Sequence, residues 1–217
     1  MPRRPSRPKP PPPTLLLFVR HGRTPTTGKV LPGRAAGLHL ADEGKAQAEA
    51  VAERLSALKK VDAIYVSPLE RTRETAAPIG RRLKLKVTPD KGLLECDFGD
   101  WTGQDLKKLN KLPEWRAVQQ HPSGFRFPGG ESFREMQTRI AGTIGRLRAR
   151  HPGQTVVLVS HADPIKVAVA DAAGTHLDLF QRVVISPCSV TAIAYSDSGP
   201  FLLTVNSTGD LAELKVN

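Results

Sequence analysis

The sequence predicts an α/β fold, a three-layer sandwich with a mostly parallel central sheet and helices on both faces. Two observations carry this. The strongest hydrophobic runs are continuous rather than alternating, as strands covered on both faces require. Between them lie segments whose apolar residues recur at helical spacing. Thr14 to Arg20 is the first buried strand, followed by a loop punctuated by Gly22, Pro25, Gly28, Pro32 and Gly33. A helix is expected from about Asp42 to Lys59, with the stripe Ala48, Val51, Ala52, Leu55 and Leu58. Acids in its first turn and lysines in its last suit the helix dipole. Ala63 to Ser67 is a second buried strand, stopped by Pro68; residues 69 to 84 read as helical, with a kink expected at Pro78. Val87 and Thr88 suggest a short third strand.

The pattern weakens across 92–130, which reads as a cap-like insertion with short helices near Leu106 and Trp115. Its aromatic residues Trp101, Trp115, Phe125 and Phe127 are read chiefly as packing residues. Ser132 and Glu135 then form a capping box that opens a helix through Arg150. Thr155 to Ser160 is another buried strand, and Pro164 is expected at the first position of a helix ending near Gly174. Ser189 to Tyr195 and Phe201 to Asn206 close the chain as two strands. The organisation expected is one domain over 14–217 behind a short tail at 1–13.

With 39% hydrophobic and 24% charged residues among 217, the chain has the composition of a core-forming protein rather than a disordered one. No apolar run approaches the roughly 20 residues that span a bilayer, so no membrane partner is expected. Only Cys96 and Cys188 are present, with neither disulfide-framework nor metal-ligand spacing, which suggests a reducing, cytoplasmic setting. The net charge of +11 is unevenly placed. Residues 1–41 hold eight basic residues and no acidic one, and the remainder is close to balance. Four of the eight lie in the proline-rich tail MPRRPSRPKPPPPT, an extended, solvated segment without aromatics for base stacking. It is read as a dispensable extension rather than a nucleic-acid arm. The others, Arg20, Arg23, Lys29 and Arg34, cluster in or after the first strand and point to a small anion instead.

In open α/β sheets, ligands bind beyond the carboxyl ends of the strands. Three strands here end in reactive residues: Arg20-His21-Gly22, Ser67-Pro68-Leu69-Glu70-Arg71, and Ser160-His161. If these strands are neighbours, two histidines and two arginines converge, with Glu95 in the opening stretch of the cap. Such a set suits phosphoryl chemistry. Two guanidiniums clamp a phosphate dianion through paired hydrogen bonds. A neutral imidazole attacks phosphorus in line when its other ring nitrogen donates to a carbonyl. Neighbouring arginines keep that imidazole neutral, and a partly desolvated carboxyl holds the proton that the leaving alkoxide needs.

These segments resemble those of the histidine phosphatase superfamily, the phosphoglycerate mutase-like family. Phe18-Val-Arg-His-Gly-Arg-Thr24 is similar to its RHG signature, and Ser67 to Thr75 to its S-x-L-x-R-x-x-x-T. Leu93 to Gly103, Phe127-Pro-Gly-Gly-Glu-Ser132 and Val157-Leu-Val-Ser-His161 match three further motifs, in the same order. The resemblance spans about 14–206 and implies a phosphoglycerate mutase-like fold. It makes His21 the phosphohistidine, Arg20, Arg71 and His161 the phosphoryl-binding groups, Glu95 the proton donor and Thr24 a secondary contact. It implies no metal and no organic cofactor. Arg23, Thr27, Gly33 and Arg34 are candidate substrate-binding residues. Three positions depart from the pattern: Thr27 stands where Asn is common, Arg23 where Glu is common, and Ala162-Asp163 where Gly-Gly often follows the second histidine.

The short segment between Gly103 and Glu131, and the 11 residues after Asn206, favour a phosphatase over a mutase that shields its phosphoenzyme from water. The intact His-Arg-Glu-His set argues against a non-catalytic phosphate-binding protein. The expected partner is a small phosphorylated metabolite, and the sequence leaves a homodimer open.

Overall fold

The computed structural model describes residues 12–211, so the tail expected at 1–13 lies almost wholly outside the described residues. Six strands form one sheet: β1 (Thr14–Arg20), β2 (Ala63–Val66), β3 (Val87–Pro89), β4 (Thr155–Ser160), β5 (Val190–Ser196) and β6 (Gly199–Ser207). Their order is β3-β2-β4-β1-β5-β6. The β3–β2, β2–β4 and β4–β1 pairs are parallel, and the β1–β5 and β5–β6 pairs antiparallel. Pro200 is accommodated because β6 is an edge strand.

The unbroken apolar run of β1 is explained by its two neighbouring layers. Leu15, Leu17 and Val19 join one buried cluster with Val51, Leu55 and Ile79 of α1 (Asp42–Ser56) and α2 (Glu70–Leu83). Leu16 and Phe18 join the other, with Met136, Ile140, Leu147 and Ile165. Two short helices, α3 (Leu106–Leu109) and α4 (Pro113–Gln120), lie in the insertion. The second cluster's helices are α5 (Phe133–Arg150), opened by the expected Ser132–Glu135 capping box, and α6 (Ala162–Ala172). Pro164 is the third residue of α6, not the first, because His161 is already the N-cap. The whole first turn lacks intrahelical acceptors for its N–H groups, so a proline fits anywhere within it. Similarly, α1 stops at Ser56, three residues before the expected Lys59. A 3₁₀ turn at Leu177–Arg182, which carries no clear sequence signal, closes the region after α6. Among the described residues, no helix is long and apolar enough to cross a membrane.

The loop after β1 is pressed against the start of α1. A Cβ on Gly22 would sit 2.5 Å from the Gly44 carbonyl oxygen, and one on Gly44 would sit 2.0 Å from that of Arg23. Both contacts are to backbone, which cannot swing away. Gly44→Ala is therefore expected to lower stability by about 1–3 kcal/mol, the usual overpacking cost. By shifting the loop it should also reduce turnover by about tenfold or more. Urea denaturation and steady-state kinetics on the same preparation check both; unchanged values would mean that the loop has slack.

Candidate active site

The sheet register brings the two histidines together. Parallel pairing of β1 with β4 sets Arg20 opposite Ser160, so the next residues, His21 and His161, leave adjacent strands at the same level. Their ring centroids are 5.3 Å apart at an interplanar angle of 63°. Both are buried, and the His21 backbone N–H donates to the Ser160 carbonyl at 3.0 Å. The β2–β4 register, Val66 opposite Val159, puts Ser67 beside them.

His21 Nδ1 lies 2.8 Å from the Gly22 carbonyl oxygen, which can only accept. Nδ1 therefore carries the proton and Nε2 the lone pair. Burial, with Arg71 and Arg20 nearby, pushes the His21 pKa down to about 3, so the ring is neutral near pH 7. Gly22 N–H donates to Thr75 Oγ1 at 3.0 Å, and Thr75 Oγ1 donates to the Arg71 carbonyl at 2.7 Å. The nucleophile's loop is thus tied to the helix that carries the arginine.

Arg71 is fully buried at the start of α2. Its Nη2 donates to the Gly33 carbonyl at 2.7 Å and to His161 Nδ1 at 3.2 Å. Since His161 Nδ1 accepts there, Nε2 holds the proton and donates to Ser67 Oγ at 2.8 Å. Burial, Arg71 and His21 hold the His161 pKa well below its ordinary value. Arg71 Nε and Nη1 and Arg20 Nε are three buried donors without a partner. The remaining Arg20 contact is Nη1 to the Ile185 carbonyl at 2.6 Å. Unpaired buried donors are costly, and an anion with several acceptor oxygens would satisfy them.

Glu95 is also buried and shares with His21 and Arg20 a cleft of about 380 Å³. Desolvation, reinforced by the Asp163 charge, raises its pKa to about 7 against the opposing pull of Arg71, of the Cys96 N–H and of Arg20. Asp163, one of the departures from the family pattern, therefore favours a protonated Glu95. Its own carboxylate pairs with Lys166 at 3.2 Å, and Lys166 donates to Gln181 Oε1 at 2.9 Å.

Thr24 and Thr27 both line the cleft, joined by a 3.0 Å hydroxyl contact, with Thr27 Oγ1 accepting from the Thr24 N–H at 2.9 Å. Three other expected substrate contacts are placed differently. Gly33 serves Arg71 through its carbonyl, as given above. Arg23 is half-exposed beside Glu43 at 3.5 Å and is not among the lining residues of the cleft. Arg34 is spent within the protein: its Nε donates to the Glu95 carbonyl at 2.9 Å, and its Nη2 pairs with the Glu131 carboxylate at 3.0 Å. Glu131 also takes two bonds from Arg139, at 2.9 and 2.8 Å, and Arg139 Nη1 holds the Gly92 and Leu94 carbonyls. The Arg34–Glu131–Arg139 clamp thus fixes the segment that presents Glu95. Arg139 escaped the sequence reading because an arginine on an amphipathic helix looks like an ordinary solvated charge; Lys166 and Gln181 carried no spacing signal, and Ser67, though read in its motif, was given no role of its own. Cys96 is a buried filler whose thiol pKa burial pushes up. Among the described residues, no group of three or more His, Cys, Asp or Glu side chains is placed to hold a metal ion.

Known proteins resemble the chain in both sequence and fold. Residues 16–208 match the model of the histidine phosphatase superfamily, branch 1. The chain is 33% identical over 206 residues to phosphoserine phosphatase 1 of Hydrogenobacter thermophilus, covering 93% of this chain and 96% of that protein. The solved structure of YhfR from Bacillus stearothermophilus superposes with a TM-score of 0.84 at 26% identity, over 90% of this chain and 98% of that one. A phosphoserine phosphatase mutant from Entamoeba histolytica, solved with phosphoserine, gives 0.82 at 26% identity, over 91% and 99%.

Proposed function

The chain belongs to the histidine phosphatase superfamily, and on that premise we propose that it hydrolyses small phosphorylated metabolites through a phosphohistidine on His21, without a metal. One observation carries the reading: a buried, neutral His21 with its Nδ1 proton tied to a carbonyl stands among three unpaired guanidinium nitrogens. The unpaired donors of Arg20 and Arg71 would hold the phosphoryl oxygens. The Nε2 lone pair attacks phosphorus, the ester P–O bond breaks, and Glu95 gives its proton to the leaving alkoxide. Glu95, now a carboxylate, takes a proton from the water that attacks phosphohistidine, which returns the proton donor and releases phosphate. His161 would act through Arg71, since its Nδ1 accepts from Arg71 Nη2. The phosphoserine phosphatase relatives support an alcohol of this small size.

The reading is tested by product analysis. Release of inorganic phosphate from phosphomonoesters, with no isomerised product from 3-phosphoglycerate, is expected; isomerisation faster than release would make the protein a mutase. The pH dependence follows from the two titrating groups. Neutral His21 is required, and its pKa is pushed down to about 3, so protonation removes activity only in strong acid. Protonated Glu95 is required, and its pKa is raised to about 7, so kcat for alkyl phosphates should fall as pH rises through that value. Glu95→Gln should remove this alkaline limb. An unchanged limb in that variant would assign it to another group.

A further inference from the structure

We propose that the catalytic cleft continues into a second chamber that accepts an aromatic or apolar ring carried by the alcohol part of the phosphomonoester. The proposal rests on the hydrolase reading above and specifies its substrate class. Leu31, Phe98, Asp163 and Gln181 line both the cleft and a neighbouring cavity of about 140 Å³, so the two spaces share one wall. Beyond that wall the cavity is bounded by Trp115, Val118, Phe127 and Phe133, with Gln119 as the one polar residue. Its volume is close to that of an engineered apolar cavity of about 150 Å³ that takes up benzene.

The lining is chemically suited to a ring. Phe98 and Phe127 meet edge to face at 4.8 Å, and Phe127 and Phe133 at 5.2 Å, so aromatic edges and faces are already presented at fixed angles. The shared wall, by contrast, carries two polar side chains. Asp163 and Gln181 both engage Lys166, at 3.2 and 2.9 Å, and their acceptor oxygens would meet a hydroxyl or ammonium donor between the phosphoryl group and the ring. Phe98 and Asp163 of the shared wall line the cleft together with Glu95, so a ring in the chamber would extend from the part of the cleft that holds the proton donor. Trp115, Val118 and Phe127 belong to the insertion rather than to the strand ends that bind phosphate. Choice of alcohol and capture of phosphate are thereby handled by different parts of the chain.

The test uses pairs of alkyl phosphates of equal chain length, with and without a terminal phenyl group, across two to four methylenes. Leaving-group acidity is nearly constant within a pair, so the ratio of kcat/KM reads contacts to the ring. A ratio of about ten or more is expected for the best pair, from burial of one phenyl group. Val118→Phe fills the chamber and should bring that ratio to within about twofold. Affinities of the wild-type protein for the matching phosphonates, measured by calorimetry, give the same ratio without any variant. Wild-type ratios near one by both methods would overturn the chamber and leave the hydrolase standing. Retention of the full ratio in folded Val118→Phe would also overturn it. Ring-selective phosphonate binding without turnover of any ester would instead sink the hydrolase reading alone.

Discussion

His21→Ala is expected to reduce turnover of p-nitrophenyl phosphate by on the order of 10⁴- to 10⁶-fold, the range seen when a covalent nucleophile is removed. The size follows from the surroundings. The nearest other imidazole, His161, has Nε2 committed to Ser67 and Nδ1 facing the Arg71 guanidinium. It has no lone pair free to attack from the same direction. Water in place of the imidazole would meet a pocket arranged to hold the phosphoryl group but with no base at the attacking side. The variant should still bind vanadate, because Arg20 and Arg71 are untouched. Steady-state rates, vanadate titration and acid-free quenching with mass spectrometry of the wild-type protein make a sufficient set. A phosphoryl adduct mapping to His21 is expected in the wild type, and near-normal turnover by the alanine variant would end the assignment.

Glu95→Gln has the next largest effect, and it depends on the substrate. An alkoxide is a poor leaving group, so losing the proton donor should cost kcat about 10²- to 10⁴-fold on alkyl phosphates. p-Nitrophenolate leaves without assistance, and the loss on the aryl ester should be smaller by at least about tenfold. The amide is nearly isosteric and keeps an acceptor for the Cys96 N–H, so collapse of the pocket is not expected to explain a loss. Equal losses on both esters would remove Glu95 from proton transfer and leave it a structural role.

Most of the fold and the centre of the site are legible in the sequence, for a physical reason. Strands buried on both faces are written as unbroken apolar runs, and β1 and β4 are placed at their full lengths from that signal alone. Phosphoryl chemistry at strand ends uses few residue types, so Arg20, His21, Arg71, Glu95 and His161 stand out together. What the sequence hides is pairing. Whether Arg34 faces a substrate or holds the Glu95 backbone depends on Glu131 and Arg139, one just before α5 and one on it. Arg23 looks like an anion contact until its half-exposed position beside Glu43 is seen. Asp163 changes character in the same way. In the sequence it is an anomalous anion beside an anion-binding pocket; in three dimensions it is balanced by Lys166 and helps Glu95 keep its proton.

The separation of the two histidines is set by the β1–β4 ladder rather than by either loop that follows it. The sheet behaves as a gauge block: it fixes the reacting pair once, at the centre of the molecule, independently of whatever is mounted around it. Segments that carry neither a reacting group nor the side chains that hold one, such as the stretch between Gln104 and Gln120, are then free to be lengthened or exchanged without recalibrating the chemistry. That division makes the framework a natural host for redesign, in which new lids are tried against an unchanged catalytic gap.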